Sequence, residues 1–292
     1  MLKTNSGKPV SKIGIGTYTI SKDKIKNEIE TLNFYVNQGI NYIDVVLSYD
    51  NGATLDVISE FIKEVKRENI FINALITFPC KEISDIEKQI KIYLDKLNTD
   101  YLDCVTLHSP VVLGFNFKNY IKEIQHLKDK YNIKNIGYSN LSPEQFKEAR
   151  EEGQIDLFEG LYNLENKIND DNGIIKNCHN SKIPFYAYQP LRRNRTAKQN
   201  YPELVALAQK YDKTQNQILI NWMIKHKEIC TLIKSSNKLH IKENLSSLEF
   251  NMEESDYKLL DDFRSKEFDK IPYSYSNEEG KIRIDQIPNQ EI

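Results

Sequence analysis

The feature that most constrains this chain is an alternation of strand-like and helix-like segments that runs almost from end to end. Short apolar, β-branched or aromatic runs occur at residues 13–18, 41–47, 70–77, 101–108, 133–140, 157–162, 183–188 and 229–234. Between them lie stretches with helical apolar spacing. Residues 84–97 place Ile86, Ile90, Tyr93, Leu94 and Leu97 on one face, with Ser84 expected as the cap. Residues 142–151 open with Ser142 in the capping position and Pro143 in the first turn. Eight such units in 292 residues are what a single-domain parallel (β/α)8 TIM barrel requires, although an open doubly wound sheet also alternates β and α. No Pro/Gly/Ser-rich linker divides the chain, so one domain over residues 1–292 is expected. Residues 265–292 break the pattern: they are rich in charge and Asn, with Phe268, Tyr273 and Tyr275 as the large side chains. That tail reads either as a solvated terminus or as a strap over the barrel mouth.

Composition excludes several classes of partner. Lys and Arg total 40 against 42 Asp and Glu, a formal net charge of -2, which lacks the basic surplus of a dedicated nucleic-acid binder. The longest apolar run, 218–224, is interrupted by Asn221 and is too short to span a bilayer. Lys3, Asn5, Lys8 and Lys12 interrupt the first residues, so no secretory signal is expected there. Cys80, Cys104, Cys178 and Cys230 are scattered without CxxC spacing, which predicts a reducing cytoplasm and no metal site.

Barrel enzymes carry their chemistry at the C-terminal ends of the strands. Polar side chains at such ends include Asp44 with Tyr49 just beyond, His108, Ser139 with Asn140, and Lys234 with Ser235. Taken singly, each fits a hydrogen-bonded structural residue or a turn as well as a site. Arg192, Arg193 and Arg195 follow the 183–188 run, either as an anion clamp or as a solvated basic loop.

Together and in this order, six segments resemble the aldo-keto reductase superfamily. They are Ile-Gly-Ile-Gly-Thr-Tyr from Ile13, Gly-Ile-Asn-Tyr-Ile-Asp-Val-Val-Leu-Ser-Tyr ending at Tyr49, and Tyr-Leu-Asp-Cys-Val-Thr-Leu-His-Ser-Pro containing His108. Asn-Ile-Gly-Tyr-Ser-Asn-Leu-Ser, Tyr-Ala-Tyr-Gln-Pro-Leu ending at Leu191, and Ile-Lys-Ser-Ser-Asn with the later Lys-Glu-Asn-Leu complete the set. The resemblance implies an extended nicotinamide cofactor across the barrel mouth, NADP with NAD as the alternative. It implies that Ser139, Asn140 and Glu159 lie at the carboxamide and that Tyr188 stacks on the ring. Leu191, Arg192 and Arg193 would lie along the pyrophosphate, and Lys234, Ser235, His240, Glu243 and Asn244 at the adenosine end. His240 stands where the family often has Arg, which weakens the preference for NADP, and Glu159 stands in place of the usual Gln.

The resemblance also implies a catalytic Tyr, Lys, Asp and His. Tyr49, Asp44 and His108 match, but Leu75 falls on the Lys position, and Lys81 lies six residues further on. Losing that cation removes the group that activates the Tyr49 phenol and the ion partner of Asp44. Three readings stay open: an NAD(P)(H)-dependent oxidoreductase of a small carbonyl or alcohol with a rebuilt proton relay, for instance with His108 as acid; a lyase or isomerase using Tyr49, Asp44 and His108; and an inactive relative that binds cofactor or a partner protein. A small-molecule substrate, no nucleic acid, no membrane, and a monomer or weak oligomer are expected.

Overall fold

The computed structural model describes residues 1–18, 20–77, 80, 82–108 and 117–265. Two short antiparallel strands, β1 (Leu2–Lys3) and β2 (Pro9–Val10), open the chain. Eight parallel strands then close into a barrel: β3 (Ile13–Ile15), β4 (Tyr42–Val46), β5 (Phe71–Ile76), β6 (Cys104–Leu107), β7 (Ile136–Ser139), β8 (Leu157–Leu161), β9 (Phe185–Tyr188) and β10 (Ile229–Ile233). Each pairs with the next, and β10 pairs with β3 to complete the ring. The open-sheet alternative is thereby excluded. The tail strap (residues 265–292) lies, apart from Ser265, outside the described residues, as does Lys81.

The helices in chain order are α1 (Ile25–Asn37), α2 (Ala53–Phe61), α3 (Ile83–Leu97), α4 (Phe117–Lys130), α5 (Pro143–Glu152) and α6 (Ile168–Asp171). They continue with α7 (Ile174–Ser181), α8 (Arg195–Lys198), α9 (Pro202–Tyr211), α10 (Gln215–Ile224), α11 (Lys238–Leu245) and α12 (Glu254–Asp262). The start of α5 is as expected: Ser142 caps it, and the Gln145 side chain returns the bond to the Ser142 N–H at 2.9 Å. The start of α3 differs. Glu82 holds the cap with Asp85 closing the box, and Ser84 Oγ donates to the Glu82 carboxylate at 3.1 Å. A carboxylate with one more methylene reaches the free N–H groups from two positions earlier than a serine at 84 would.

Alternation along the strands sorts side chains into two cores. Ile43, Val45, Ile72, Ala74, Ile76, Val105, Leu107 and Ile136 face outward and pack with helix residues such as Leu55, Ile86, Ile90 and Ile124. Tyr42, Phe71, Cys104, Leu157, Tyr186 and Cys230 face inward and pack with Val10 and Leu2 of the N-terminal hairpin. This inner apolar layer includes a stacked pair, Tyr42 on Tyr186, with ring centroids 3.7 Å apart. A β-carbon at Gly14 would come within 2.7 Å of the Tyr42 ring, so the glycine makes room for the stack. The layer plugs one end of the barrel and leaves function to the other.

Candidate active site

Two residues along β4, β5, β6 and β8 from the apolar layer, the inner face becomes polar. Asp44 follows Tyr42 on β4 and is the register partner of Asn73 on β5. Thr106 follows Cys104 on β6, and Ser139 at the end of β7 is the register partner of Glu159 on β8. All five are buried. Glu159 Oε1 accepts from the Tyr42 hydroxyl at 2.7 Å and from Asn73 Nδ2 at 2.9 Å, while Thr106 donates to Asn73 Oδ1 at 2.7 Å. The network spans four strands, β4, β5, β6 and β8, and has one carboxylate at its centre. A β-carbon at Gly137 would lie 2.1 Å from the Thr106 hydroxyl, so the network also depends on that glycine.

Asp44 lies beside this network, but its Oδ1 has no hydrogen-bond partner among the described residues. Neither Asp44 nor Glu159 has a lysine or arginine partner among them. Burial first, and then the neighbouring Glu159 carboxylate, pushes the Asp44 carboxyl well above the usual carboxylate range. Burial also raises Glu159, against the pull of the bonds from Tyr42 and Asn73. Leu75 sits one further step along β5, 2% exposed, between its register partners Val46 and Thr106. It belongs to neither apolar core. Phe71, Asn73 and Leu75 thus share the inner face of β5.

At the strand ends the side chains are partly exposed. His108 has a ring nitrogen, Nδ1, buried without a partner among the described residues, and burial pulls its pKa down to about 4. Asn140, in the left-handed backbone region at φ 58°, donates to the His108 carbonyl at 3.1 Å and accepts from the Tyr188 hydroxyl at 2.7 Å. The ends of β6, β7 and β9 are thus braced together. The Ser139 hydroxyl is fully buried and has no partner among the described residues. Tyr49 lies in a short turn, Tyr49–Gly52, where Asp50, Asn51 and Gly52 all have positive φ. Its ring meets Tyr18 edge-on at 5.2 Å, and the Arg193 guanidinium covers the other ring at 4.5 Å.

The remaining expected site residues are distributed around the rim. Arg192 is bound to the buried Glu165, which also accepts from Thr196 and Tyr201, so it holds the β9–α8 loop in place and is not a free clamp. Leu191 caps the turn before it. Lys234 ends β10 and pairs with Glu28 of α1 at 2.8 Å. The Ser235 N–H donates to the Tyr35 hydroxyl, and its own hydroxyl accepts from Asn237, the cap of α11. On α11, His240 is exposed, Asn244 is buried, and Glu243 accepts from Thr214 at 2.6 Å. The sequence reading missed Tyr42, Asn73 and Thr106. Their signal was polarity at alternate positions on the inner face, which becomes visible only once the faces are assigned.

These residues suit a nicotinamide nucleotide. The orphaned Ser139 hydroxyl beside Asn140 offers a hydrogen bond to an amide, the partly exposed Tyr188 ring offers a flat surface, and Arg193 and Lys234 place cations on the rim. Among the described residues no cluster of three metal-ligating side chains occurs, and no helix is long and apolar enough to cross a membrane.

Comparison with known proteins agrees with this geometry. The model of the Aldo/keto reductase family matches residues 12–265. YtbE of Bacillus subtilis, an uncharacterized oxidoreductase, is 26% identical over 252 residues, which cover 85% of this chain and 87% of that protein. Methylglyoxal reductase YeaE of Escherichia coli is 24% identical, with 94% of each chain covered. The thermostable aldo-keto reductase Tm1743, solved with the inhibitor epalrestat, superposes with a TM-score of 0.81 at 25% identity, covering 89% of this chain and 98% of that one. An aldo-keto reductase of Klebsiella pneumoniae in complex with NADPH shares the fold, with a TM-score of 0.79 at 21% identity and coverage of 89% and 94%. With eight strands in the same closed order and the family pattern matched over most of its length, the chain belongs to the aldo/keto reductase family of oxidoreductases.

Proposed function

We propose that this protein is an NADP(H)-dependent oxidoreductase of small carbonyl or alcohol substrates, with a proton relay rebuilt around Leu75. The observation that carries the reading is the braced mouth: Ser139, whose buried hydroxyl has no partner among the described residues, next to an Asn140 that ties Tyr188 to the His108 carbonyl. Ser139, Asn140 and Tyr188 would hold the nicotinamide end, and Arg193, Lys234, Ser235 and the start of α11 the phosphates and adenosine. A bound nicotinamide nucleotide supplies or accepts a hydride. Everything else in the reaction falls to the chain's own groups.

With its pKa pulled down to about 4, His108 is neutral at physiological pH. As a neutral imidazole it would orient a substrate oxygen by donating a hydrogen bond to it, and it is in this form that it would serve as the acid of a rebuilt relay. Tyr49 lies in the turn after β4, with the Tyr18–Arg193 stack limiting how its ring can turn. Lys234 must loosen its pair with Glu28 to meet a 2′-phosphate. The preference for NADP over NAD therefore depends on how strongly Glu28 competes.

Fluorescence titration with NADPH and NADH, followed by turnover of a simple aldehyde, tests the reading. Lys234→Ala should weaken NADPH binding roughly tenfold or more, in line with about 1.5 kcal/mol for a charge-assisted hydrogen bond, and leave NADH nearly unchanged. Equal small losses for both nucleotides would remove Lys234 from the phosphate site. Binding without aldehyde turnover would favour the second reading, elimination or isomerisation, which Leu75 also permits because it takes away the cation that supports an alkoxide. Absence of binding to either nucleotide would leave a partner-binding relative.

A further inference from the structure

The inner wall of the barrel holds two carboxyl groups that have no lysine or arginine partner among the described residues. Asp44 and Glu159 project from β4 and β8 and are 6% and 2% exposed. They are linked through Asn73, which is the register partner of Asp44 and bonds Glu159 Oε1 at 2.9 Å. Their surroundings are unequal. Glu159 Oε1 accepts two hydrogen bonds, which favour a carboxylate, whereas Asp44 Oδ1 has no donor among the described residues. A second observation points into the same space: Ser139, fully buried and paired in register with Glu159, has a hydroxyl with no partner among the described residues.

We propose that Asp44 and Glu159 share a single proton at neutral pH, with the charge on Glu159 and the proton on Asp44, and that this pair is the proton store of the site. Two ionised carboxylates in a water-poor wall repel each other, and among the described residues neither has a cation to offset its desolvation. Keeping one proton removes most of both penalties. As a step it balances simply: the Asp44 O–H bond breaks, its electron pair stays on the carboxylate oxygen, the proton forms the new O–H bond on the substrate oxygen left negative by hydride addition, and solvent later returns a proton to Asp44. The inference rests on the proposed function only for the use made of the proton; the pair itself is a property of the protein without ligand.

The other titratable groups facing the pair do not supply the missing charge. Tyr42 on β4, Cys104 on β6, Tyr186 on β9 and Cys230 on β10 are all raised by burial and stay protonated, and His108 on β6 stays neutral. From α3, Tyr93 reaches the backbone between β4 and β5 and is likewise raised. The two carboxyls accordingly titrate as a unit.

Infrared spectroscopy of the nucleotide-free protein tests this directly. At pH 7 a buried carboxylic-acid C=O band that shifts in D2O is expected, and Asp44→Asn should remove most of it. In Glu159→Gln the midpoint at which the band disappears should fall by about one pH unit or more, because Asp44 has lost its charged neighbour. A wild-type spectrum with no such band at pH 7 overturns the proposal and needs no variant. So does a midpoint that stays put in Glu159→Gln, since the acids would then be independent. Should Glu159→Gln fail to fold, an unchanged band in Asp44→Asn overturns it equally. The nucleotide titration is separate, so failure of the redox reading would be recognised apart from failure of the pair.

Discussion

Leu75 puts an isobutyl group on the same inner wall as two carboxyls that have no cation partner among the described residues, and this sets two expectations at the residue scale. Leu75→Lys would bring an ammonium into a wall that already holds its counter-charges, so the variant should fold. With the cation restored, NADPH-dependent aldehyde reduction should rise by roughly 10²-fold, the lower end of what general acid–base groups contribute. If Leu75 serves only as packing, the same variant should lose several kcal/mol and aggregate; a urea melt beside the activity assay separates the two outcomes. The second expectation concerns pH. Glu159 holds its proton in the folded protein above its ordinary value of 4.5, so between 4.5 and neutrality the native state binds more protons than the unfolded chain. Stability therefore falls as pH rises through that window. His108 acts in the opposite sense, because its pKa drops from 6.5 to about 4 on folding, and its contribution is lost as pH falls from 6.5 to 4. Above pH 6.5 only the carboxyl slope remains. Glu159→Gln should then gain stability over wild type on going from pH 5 to pH 8, by on the order of 1 kcal/mol, in denaturant titrations at the two pH values.

At the scale of elements, the site is held by the strands at its back. Gly137 on β7 leaves the space in which Thr106 reaches Asn73, and a methyl group there would come within 2.1 Å of the Thr106 hydroxyl. Gly137→Ala should cost about 1–3 kcal/mol, as overpacking does. It should also weaken turnover through loss of the Asn73 bond; full activity with unchanged stability would mean the wall is softer than described. Tyr93 acts from the helix side. Its hydroxyl lies 2.9 Å from the Val45 carbonyl and 2.8 Å from that of Leu75, so one hydroxyl on α3 bridges β4 and β5 at the level of the site. The rim loops depend on left-handed residues, and Gln189, Arg192, Arg193 and Asn194 cluster after β9. That strained run turns Arg193 back over Tyr18 while Arg192 is bound to Glu165.

For the whole molecule, the end away from the site is closed by charge as well as by apolar packing. Asp103, 1% exposed, takes Lys8 from the hairpin loop and Arg67 from the segment before β5, each at 2.6 Å, and also accepts from the Ile72 N–H at 3.0 Å. Replacing it strands two cations and a backbone donor. Asp103→Ala should cost about 3–5 kcal/mol, the usual penalty for removing one partner of a buried ion pair. A loss under 1 kcal/mol in urea at pH 7 would show that the hairpin plug contributes little to closure. Because this lock lies at the other end of the barrel, nucleotide affinity in the folded fraction should be unchanged.

Local pattern was enough for much of this protein. The spacing of apolar runs fixes eight strands, because a strand buried on both faces is continuously apolar and a barrel helix repeats at 3.6 residues. Ser142 and Pro143 mark the start of α5, since capping is satisfied within one turn. Asp44, Tyr49, His108, Ser139 and Asn140 stand out because polar side chains at the ends of apolar runs are conspicuous. What the tertiary structure decided is which of these groups meet, because a partner's sequence distance carries no trace in local spacing. Arg192 and Lys234 look alike as rim cations in the sequence, and only the folded chain brings Glu165 to one and Glu28 to the other. Asn73 and Thr106 look like ordinary strand residues until closure of the ring turns them inward toward Glu159. Asp44 and Glu159 are 115 residues apart in the chain. Only the closed barrel brings them together in a space that excludes water, and it is that exclusion, rather than either residue's identity, that makes the two acids share a proton.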